Sequence, residues 1–150
     1  MEKVDRTHWE RAELFEFFSA VSHPFYSVTF RVDVTNLYRY VKERHLSFYY
    51  AMGYLVTDAV NSVKNFRYAI RDGEVWLLDE RIPSLTDLKP GSEQFHIVTL
   101  PKVGGIAEFC ASAQARSSAQ KTLLDQDEEN DNLIYISCLS LIHISEPTRL

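Results

Sequence analysis

Alternation of apolar and polar positions gives the clearest structural signal in this chain. Residues 66–70 alternate Phe, Tyr and Ile with Arg and Ala, which is the period of a half-buried strand. Asp72 and Gly73 follow, a pair typical of two-residue type I′ turns, and the apolar stretch 75–78 then predicts a hairpin. Pro83 lacks the N–H that a sheet ladder needs, so we expect it to end this segment or to lie at a sheet edge.

Further strands and four helices are predicted along the rest of the chain. Strands are expected over Val28–Val34, 95–100 and Leu133–Leu139, with a polar loop over 125–131. Helices are expected from Thr7 in a capping box to Ala20, from a Thr35 cap to about Glu43, from a Ser47 cap to about Val60, and from Ile106 into the 120s. Because β and α segments mix without regular alternation, the pattern favours an α+β two-layer domain with a mixed sheet.

Composition narrows the class of protein. The chain has 150 residues, of which 45% are apolar and 13% aromatic, so we expect one folded domain. The net charge of −5 without a basic stripe argues against nucleic acid as the main partner. Two cysteines without zinc-ligand spacing predict no metal site. The absence of a signal-peptide core and of a long apolar run predicts a cytoplasmic location and no membrane span. We expect reduced thiols in that location, although two cysteines leave a disulfide open.

An ordered series of short motifs resembles the chloramphenicol acetyltransferases and their CatA-like relatives. The series comprises Trp-Glu-Arg from Trp9, Val-Asp-Val-Thr from Val32, Phe-Tyr at 48–49, Ala-Val-Asn at 59–61, the hairpin stretch 65–88 and Asn-Leu-Ile-Tyr-Ile-Ser-Cys-Leu over 132–139. This resemblance implies a mixed sheet covered by helices, incomplete at the C-terminus. It also implies transfer of an acetyl group from acetyl-CoA, a cosubstrate and not a bound cofactor, to a hydroxyl of chloramphenicol or a related alcohol, in a homotrimer.

The family pattern stops at residue 139. Residues 1–139 are therefore interpreted as the N-terminal part of one acetyltransferase-like domain, and residues 140–150 as a non-family tail. That tail, Ser-Leu-Ile-His-Ile-Ser-Glu-Pro-Thr-Arg-Leu, resembles translated sequencing adapter; a natural divergent C-terminus is the alternative. The general-base histidine of the family lies in a later His-His-x-x-x-Asp-Gly motif, which this chain lacks. His143 has no such context, and His8 is expected in the first turn of a helix.

The resemblance also assigns site residues. Ser137 matches the serine whose hydroxyl donates to the oxyanion, against the alternative of an ordinary strand serine. Arg11 matches an arginine that pairs with the aspartate of the missing Asp-Gly, and Tyr49 a position near the coenzyme. Positions that line the acceptor pocket in the family match Phe17, Phe18, Pro24, Tyr26 and Val98, for which core packing is the alternative.

Departures from the pattern leave the substrate open. Pro24 stands where classical members often have cysteine, and Leu85 where they usually have phenylalanine. Two other functions therefore remain: a non-catalytic small-molecule binding or assembly module, and an acyltransferase with a different acceptor. The remaining histidines, His23, His45 and His96, are expected in loops or on strand surfaces.

Overall fold

A computed structural model describes residues 1–89, 91–92, 94–124 and 130–138. Its α-helices are α1 (Ala12–Ser19), α2 (Thr35–Glu43), α3 (Phe48–Ser62) and α4 (Ile106–Ala119). Its strands are β1 (Glu2–Lys3), β2 (Tyr68–Arg71), β3 (Glu74–Leu77), β4 (Ile82–Leu88), β5 (Phe95–Thr99) and β6 (Leu133–Ile136). A 3₁₀ turn over Lys64–Arg67 leads from α3 into β2.

The described strands form two sheets, and one of them is mixed. In the first sheet the order is β1-β3-β2, and both pairings are antiparallel. In the second sheet β4 is central, antiparallel to β5 and parallel to β6. Helices α3 and α4 pack together, α3 against β4 and α4 against β5, which makes a helical layer over the mixed sheet. The predicted α+β fold class is thus confirmed.

The hairpin forms as the sequence predicts. Asp72 and Gly73 both have positive φ, 52° and 75°, as the two central residues of a type I′ turn require. Arg71 and Glu74 are the register partners that close the turn. Gly73 supplies the left-handed backbone without a Cβ penalty, and Asp72 is one of the residue types that tolerate it.

The core lies between α3, α4 and the mixed sheet. Leu85 of β4, Val98 of β5 and Phe109 of α4 are buried together. Gly53 of α3 lies directly over Leu85, and a Cβ built on Gly53 would come within 3.0 Å of the leucine Cδ2. The absence of a side chain at this position therefore lets the helix approach β4 closely.

The helix caps agree with the sequence in one case and differ in two. Ser47 caps α3 through its Oγ, which accepts the Tyr50 N–H over 3.3 Å, as predicted. Helix α2 begins at Thr35, but the preceding Val34 occupies the cap position, and the Asp33 carboxylate accepts the Thr35 N–H over 2.9 Å.

The predicted start of the first helix at Thr7 is wrong. Helix α1 begins at Ala12 and has no side-chain cap. The Thr7 hydroxyl and N–H instead bind Asp5 Oδ1, over 2.6 and 3.0 Å, because a short acidic side chain two residues away offers a competing local turn. His8 consequently precedes the helix and contacts Asp5 Oδ2 through its Nδ1 over 2.8 Å.

The strand predicted over Val28–Val34 is absent. No strand is assigned between residues 23 and 34, and every side chain from 16 to 33 is exposed. The alternation there indicates a local preference, whereas a strand also needs a pairing partner, and no described strand pairs with this segment.

Of two further predictions about strands, the one for Pro83 is wrong and the one for the last strand is only partly covered by the described residues. Pro83 lies inside β4, the central strand, and is not at a sheet edge. The position is compatible with proline because pairing with β5 begins only at Ser84, so no ladder bond to β5 is lost at Pro83. Strand β6 ends at Ile136; Leu139, and most of the loop predicted over 125–131, lie outside the described residues.

Arginine side chains join the hairpin to the mixed sheet. Arg81 donates to the carbonyl oxygens of Phe66, Tyr68 and Asp131 over 2.9, 2.6 and 2.6 Å. Arg71 of β2 binds both carboxylate oxygens of Asp131, which lowers the pKa of that carboxyl. Within the described ranges, both cysteines are free, and no helix is long and apolar enough to cross a membrane.

Candidate functional site

A cleft of about 980 Å³ lies between α1 and the hairpin. Its aromatic walls come from the α1 region and from β2. The Trp9 ring meets the Tyr68 ring edge-on at 5.2 Å between centroids and lies 5.9 Å from the Phe15 ring. The cleft is thus lined by flat apolar surfaces of the kind that bind small aromatic molecules.

Two guanidinium groups border this cleft. Arg6 is neutralised by Glu16 over 3.1 Å and lies over the Phe15 ring at 5.2 Å. Arg11, at the cap position of α1, also lines the cleft, and its side chain makes no ion pair with any of the described residues. Arg11 therefore remains available to a carboxylate brought to the cleft.

Ser137, which the resemblance matches to the oxyanion donor, lies directly after β6, and its side chain is exposed. The residue before it is held in place by Tyr49 of α3. The Tyr49 hydroxyl reaches the carbonyl oxygens of Thr86 and Ile136 over 2.7 and 3.1 Å. One phenol proton thus serves two acceptors, one on β4 and one on β6, at the point where the chain enters Ser137.

The surroundings of Tyr49 keep its hydroxyl protonated, so that it acts as a hydrogen-bond donor. Burial first, and then the negative charge of Asp87, raise the pKa of Tyr49 to about 12. Its hydroxyl therefore keeps its proton throughout the physiological range.

A chain of buried and half-buried polar groups lies beside Tyr49. Asp87 Oδ2 accepts from the Tyr50 hydroxyl and, over 2.7 Å, from the Ser117 hydroxyl. Because the only proton of Ser117 goes to Asp87, His96 Nε2, at 2.9 Å, is the donor to the serine oxygen. The chain joins α3, β4, β5 and α4, and burial together with Asp87 raises the pKa of Tyr50 to about 12.

His96 corrects a prediction. It was expected in a loop or on a strand surface, but it lies on β5 with none of its surface exposed, and its Nδ1 has no hydrogen-bond partner in the described part of the chain. It is buried because α4 covers that face of β5. Its cross-strand partner is Asp87, a pairing that only the register of the sheet reveals.

The other histidines offer no buried site. His8, His23 and His45 are exposed, as expected for loop residues in the last two cases, and His143 lies outside the described residues. No cluster of His, Cys, Asp and Glu able to hold a metal occurs among the residues that the structure describes.

Comparison with known proteins identifies the family. The family model described as chloramphenicol acetyltransferase matches residues 1–146. The chain belongs to the chloramphenicol acetyltransferase family. A solved chloramphenicol acetyltransferase structure has a TM-score of 0.77 and 25% identity, over 91% of this chain and 69% of that one.

The relatives that the chain matches are longer than the chain itself. The chloramphenicol acetyltransferase of Clostridium perfringens is 39% identical over 95 residues, which cover 63% of this chain and 44% of the relative. Chloramphenicol acetyltransferase 3 of Escherichia coli is 29% identical over 144 residues, which cover 94% of this chain and 68% of the relative. The chain thus spans less than half the length of the first of these relatives.

The structure separates the residues that the chloramphenicol acetyltransferase resemblance assigns to the acceptor pocket. Phe18 and Pro24 line the cleft, together with Arg11. Phe17 lies next to them, with its ring edge-on to Phe18 at 5.2 Å, but it does not line the cleft. Tyr26 is 86% exposed beyond the cleft.

Val98 and the oxyanion candidate lie elsewhere. Val98 is fully buried in the core beside Leu85, so in this structure it packs and does not face the cleft. Neither Ser137 nor Tyr49 lines the cleft. Within one chain the residues that the resemblance assigns to the site therefore form two groups, one around Phe18 and Arg11 and one around Ser137 and Tyr49.

Sequence reasoning missed the aromatic walls of the cleft and the polar chain beside Tyr49. Tyr68 was predicted only as a strand residue, and Trp9 only as part of the first helix and of a family motif. The signal available was the position of Trp9, Phe15 and Phe18 in the N-terminal segment, whose bulk needs a partner surface.

Proposed function

We propose that this chain is the N-terminal part of an acetyl-CoA-dependent O-acetyltransferase that acts on chloramphenicol or a related small alcohol. Family membership carries the proposal, and the position of Ser137 supports it. That serine is exposed directly after β6, where Tyr49 fixes the preceding carbonyl. Residues 140–150 are proposed to be a tail foreign to the family, although the match to the family model extends to residue 146.

In the proposed reaction a general base removes the proton of the acceptor hydroxyl. The acceptor oxygen attacks the thioester carbonyl carbon of acetyl-CoA, and the carbonyl oxygen takes on negative charge. The Ser137 hydroxyl donates to that oxygen, a stabilisation worth about 3 kcal/mol of barrier when the donor is preorganised. As the intermediate collapses, the base returns the proton to the departing sulfur, so that CoA thiol and the acetate ester of the acceptor are released.

The base is proposed to come from a part of the protein that this chain lacks. The described histidines are exposed loop residues, apart from the buried His96, and none lies in His-His-x-x-x-Asp-Gly. Arg11 is proposed to bind the aspartate of that motif and so to hold the histidine loop. Its lack of an ion pair among the described residues agrees with this role.

We propose that the complete enzyme is a cytoplasmic homotrimer. The two separate groups of site residues in one chain agree with a site shared between subunits. Phe18 and Pro24 would contact the aromatic ring of the acceptor, with Phe17 and Tyr26 nearby, whereas Tyr49 would lie near acetyl-CoA. Val98 would act through packing of the sheet behind the site.

The proposal is tested by an assay of acetyl transfer from acetyl-CoA to chloramphenicol, in which the release of CoA thiol is measured. The 150-residue chain is compared with a completed protein in which residues 1–139 are joined to the part of the Escherichia coli relative outside the matched stretch. We expect turnover from the completed protein alone. Acceptor binding without turnover in the completed protein would instead favour the binding module.

A further inference from the structure

Asp87, near the end of β4, is a half-buried carboxylate on which hydrogen bonds from several elements converge. Its Oδ2 accepts from the Tyr50 hydroxyl and, over 2.7 Å, from the Ser117 hydroxyl, and its Oδ1 accepts from the Leu88 N–H over 2.9 Å. It makes no ion pair with any residue of the described chain. Withdrawing a carboxylate from water without a cation is costly, and here fixed donors replace its hydration. Both carboxylate oxygens are therefore held in place.

Two neighbouring tyrosines of α3 are tethered to two neighbouring residues of β4. Tyr49 donates to the Thr86 carbonyl oxygen, and Tyr50 donates to the Asp87 carboxylate. Successive side chains on a helix point about 100° apart, so the two bonds hold α3 from different sides of its axis. One such bond still lets a helix turn about its own axis, whereas a second bond opposes that rotation. The bond to Asp87 therefore fixes the rotation of α3 relative to β4.

Packing alone restrains this rotation only weakly. Apart from Tyr50, the buried residues of α3 are small: Ala51, Gly53 and Thr57. Gly53 lies over Leu85 of β4 without a side chain of its own. Small side chains form shallow ridges, which interlock less with a facing surface than large side chains do. The polar tethers consequently carry much of the orientation of the helix.

The rotation of α3 bears on Ser137 through Tyr49. The Tyr49 hydroxyl also donates to the Ile136 carbonyl oxygen, 3.1 Å away, in the residue immediately before the serine. Turning the helix would carry this hydroxyl away from its acceptors and free the peptide that leads into Ser137. A displacement of about 1 Å in a reacting group can cost about 10²-fold in rate.

We propose that Asp87 is a positioning residue for acetyl transfer, which sets the direction of the Ser137 hydroxyl through α3. Its bond to Tyr50 fixes the helix, and the helix places the Tyr49 hydroxyl against the carbonyl that precedes the serine. This inference rests on the proposed acetyltransferase function, because the oxyanion role of Ser137 belongs to that proposal.

The buried groups behind Asp87 hold the carboxylate itself. Ser117 is 5% exposed and donates to Asp87, and His96, with none of its surface exposed, donates to the Ser117 oxygen over 2.9 Å. The serine hydroxyl is thus oriented by a fixed ring on one side and by the carboxylate on the other. Asp87 is tied to α4 and β5 as well as to α3, so it can act as a rigid anchor for Tyr50.

Steady-state kinetics of the completed protein tests the proposal. Asp87→Asn keeps the size of the side chain, but its amide nitrogen cannot accept a hydrogen bond, so one acceptor oxygen is lost. We expect kcat to fall about tenfold, with KM for acetyl-CoA and chloramphenicol within about twofold of wild type, because a misplaced transition-state donor spares ground-state binding. Asp58→Asn is the matched control: this exposed aspartate of α3 pairs with Lys102, and its loss should change kcat by less than about twofold.

Combination with Ser137→Ala separates positioning from a merely structural role. If Asp87 acts through the serine, Asp87→Asn should lower kcat by less than about twofold once the serine hydroxyl is absent. Tyr50→Phe should repeat the loss caused by Asp87→Asn, and the two changes together should cost no more than about either alone. An equal loss from Asp87→Asn with and without the serine hydroxyl would overturn the proposal.

Hydrogen exchange in the 150-residue chain gives a readout that needs no activity. Asp87→Asn should speed exchange of the amides that bond β6 to β4 by at least about fivefold relative to those of the hairpin strands β2 and β3, which lie in the other sheet. Unchanged relative exchange would exclude the link from Asp87 to the serine, whether or not the completed protein is active. Faster exchange with a completed wild-type protein that lacks turnover would overturn the acetyltransferase function, and with it the role in acetyl transfer, while the link to the Ser137 segment would stand.

Discussion

The Tyr49 hydroxyl lies 3.1 Å from the carbonyl oxygen of Ile136, the residue immediately before Ser137, and 2.7 Å from that of Thr86. One side chain of α3 thus joins β4 to β6 immediately before Ser137, the proposed oxyanion donor. A helix residue expected to lie near the coenzyme therefore also orders the segment that carries the serine.

Removing this hydroxyl should cost stability. Tyr49→Phe keeps the ring and leaves two half-buried carbonyls without their shared donor. We expect the free energy of unfolding to fall by about 1 kcal/mol, since stranding buried acceptors costs about 1–3 kcal/mol and these are partly solvated. Urea unfolding of the 150-residue chain and its variant measures the difference.

Tyr54→Phe provides the control on the same helix. Tyr54 donates to the Gly104 carbonyl oxygen over 3.2 Å at an exposed site. Water replaces that bond readily, so its loss should change stability by less than about 0.5 kcal/mol. Equal losses for the two variants would mean that the Tyr49 bonds contribute nothing beyond an ordinary surface contact.

Ser137→Ala should act on catalysis and not on binding. In the completed protein we expect kcat to fall about 10²-fold or more, with KM for either substrate and the melting temperature nearly unchanged. The hydroxyl would meet charge that exists only in the transition state, so its loss spares ground-state binding. Steady-state kinetics that retain more than roughly a third of kcat would remove Ser137 from the mechanism.

Alkaline pH should destabilise the chain through its two adjacent tyrosines. The folded pKa values of Tyr49 and Tyr50 are both raised, to about 12, from an ordinary value of 10. Their contribution to stability is therefore complete below pH 10 and is lost as the pH rises towards 12, because the unfolded chain releases these protons first. Urea unfolding as a function of pH should show this decline, and Tyr50→Phe should make it shallower.

The buried polar chain gives a further prediction about stability. Ser117→Ala removes the group between His96 and Asp87 and leaves the His96 Nε2–H unpaired in the core. We expect a loss of about 1–3 kcal/mol in the free energy of unfolding, the cost of a stranded buried polar group.

Ser118→Ala is the matched control for this substitution. Ser118 is the next residue of α4 and is exposed, so the change should be within about 0.5 kcal/mol of wild type, or slightly stabilising through helix propensity. Similar behaviour of the two variants in thermal unfolding would show that the polar chain does not stabilise the fold.

Sequence reasoning succeeded where the physics is local. The type I′ turn at Asp72 and Gly73 and the Ser47 cap depend on a few neighbouring residues, and both appear in the structure. It failed at Thr7 for an equally local reason, because Asp5 competes for the same hydroxyl. Competition between caps is hard to resolve when both partners are present in the sequence.

The other errors concern contacts between distant segments. Burial of His96 depends on α4, and the tolerance of Pro83 on the exact register of β5. Whether 28–34 becomes a strand depends on a partner from elsewhere. For the site, the resemblance assigned Phe18 and Pro24 to the acceptor pocket, and both line one cleft together with Arg11. For Val98 it left core packing as the alternative, and only the packing of distant segments shows that this residue lies in the core.

The parallel pairing of β4 with β6 has a consequence for synthesis on the ribosome. Strand β4 ends at Leu88, whereas β6 begins only at Leu133, after the whole of β5 and α4. A growing chain therefore exposes one edge of β4 for the seconds that translation of the intervening residues takes, at about 5–20 residues per second. Tyr49, already emerged with α3, can meet the Thr86 carbonyl during that interval but must wait for Ile136. Nascent chains halted before residue 133 should accordingly bind chaperones more strongly than those halted beyond it.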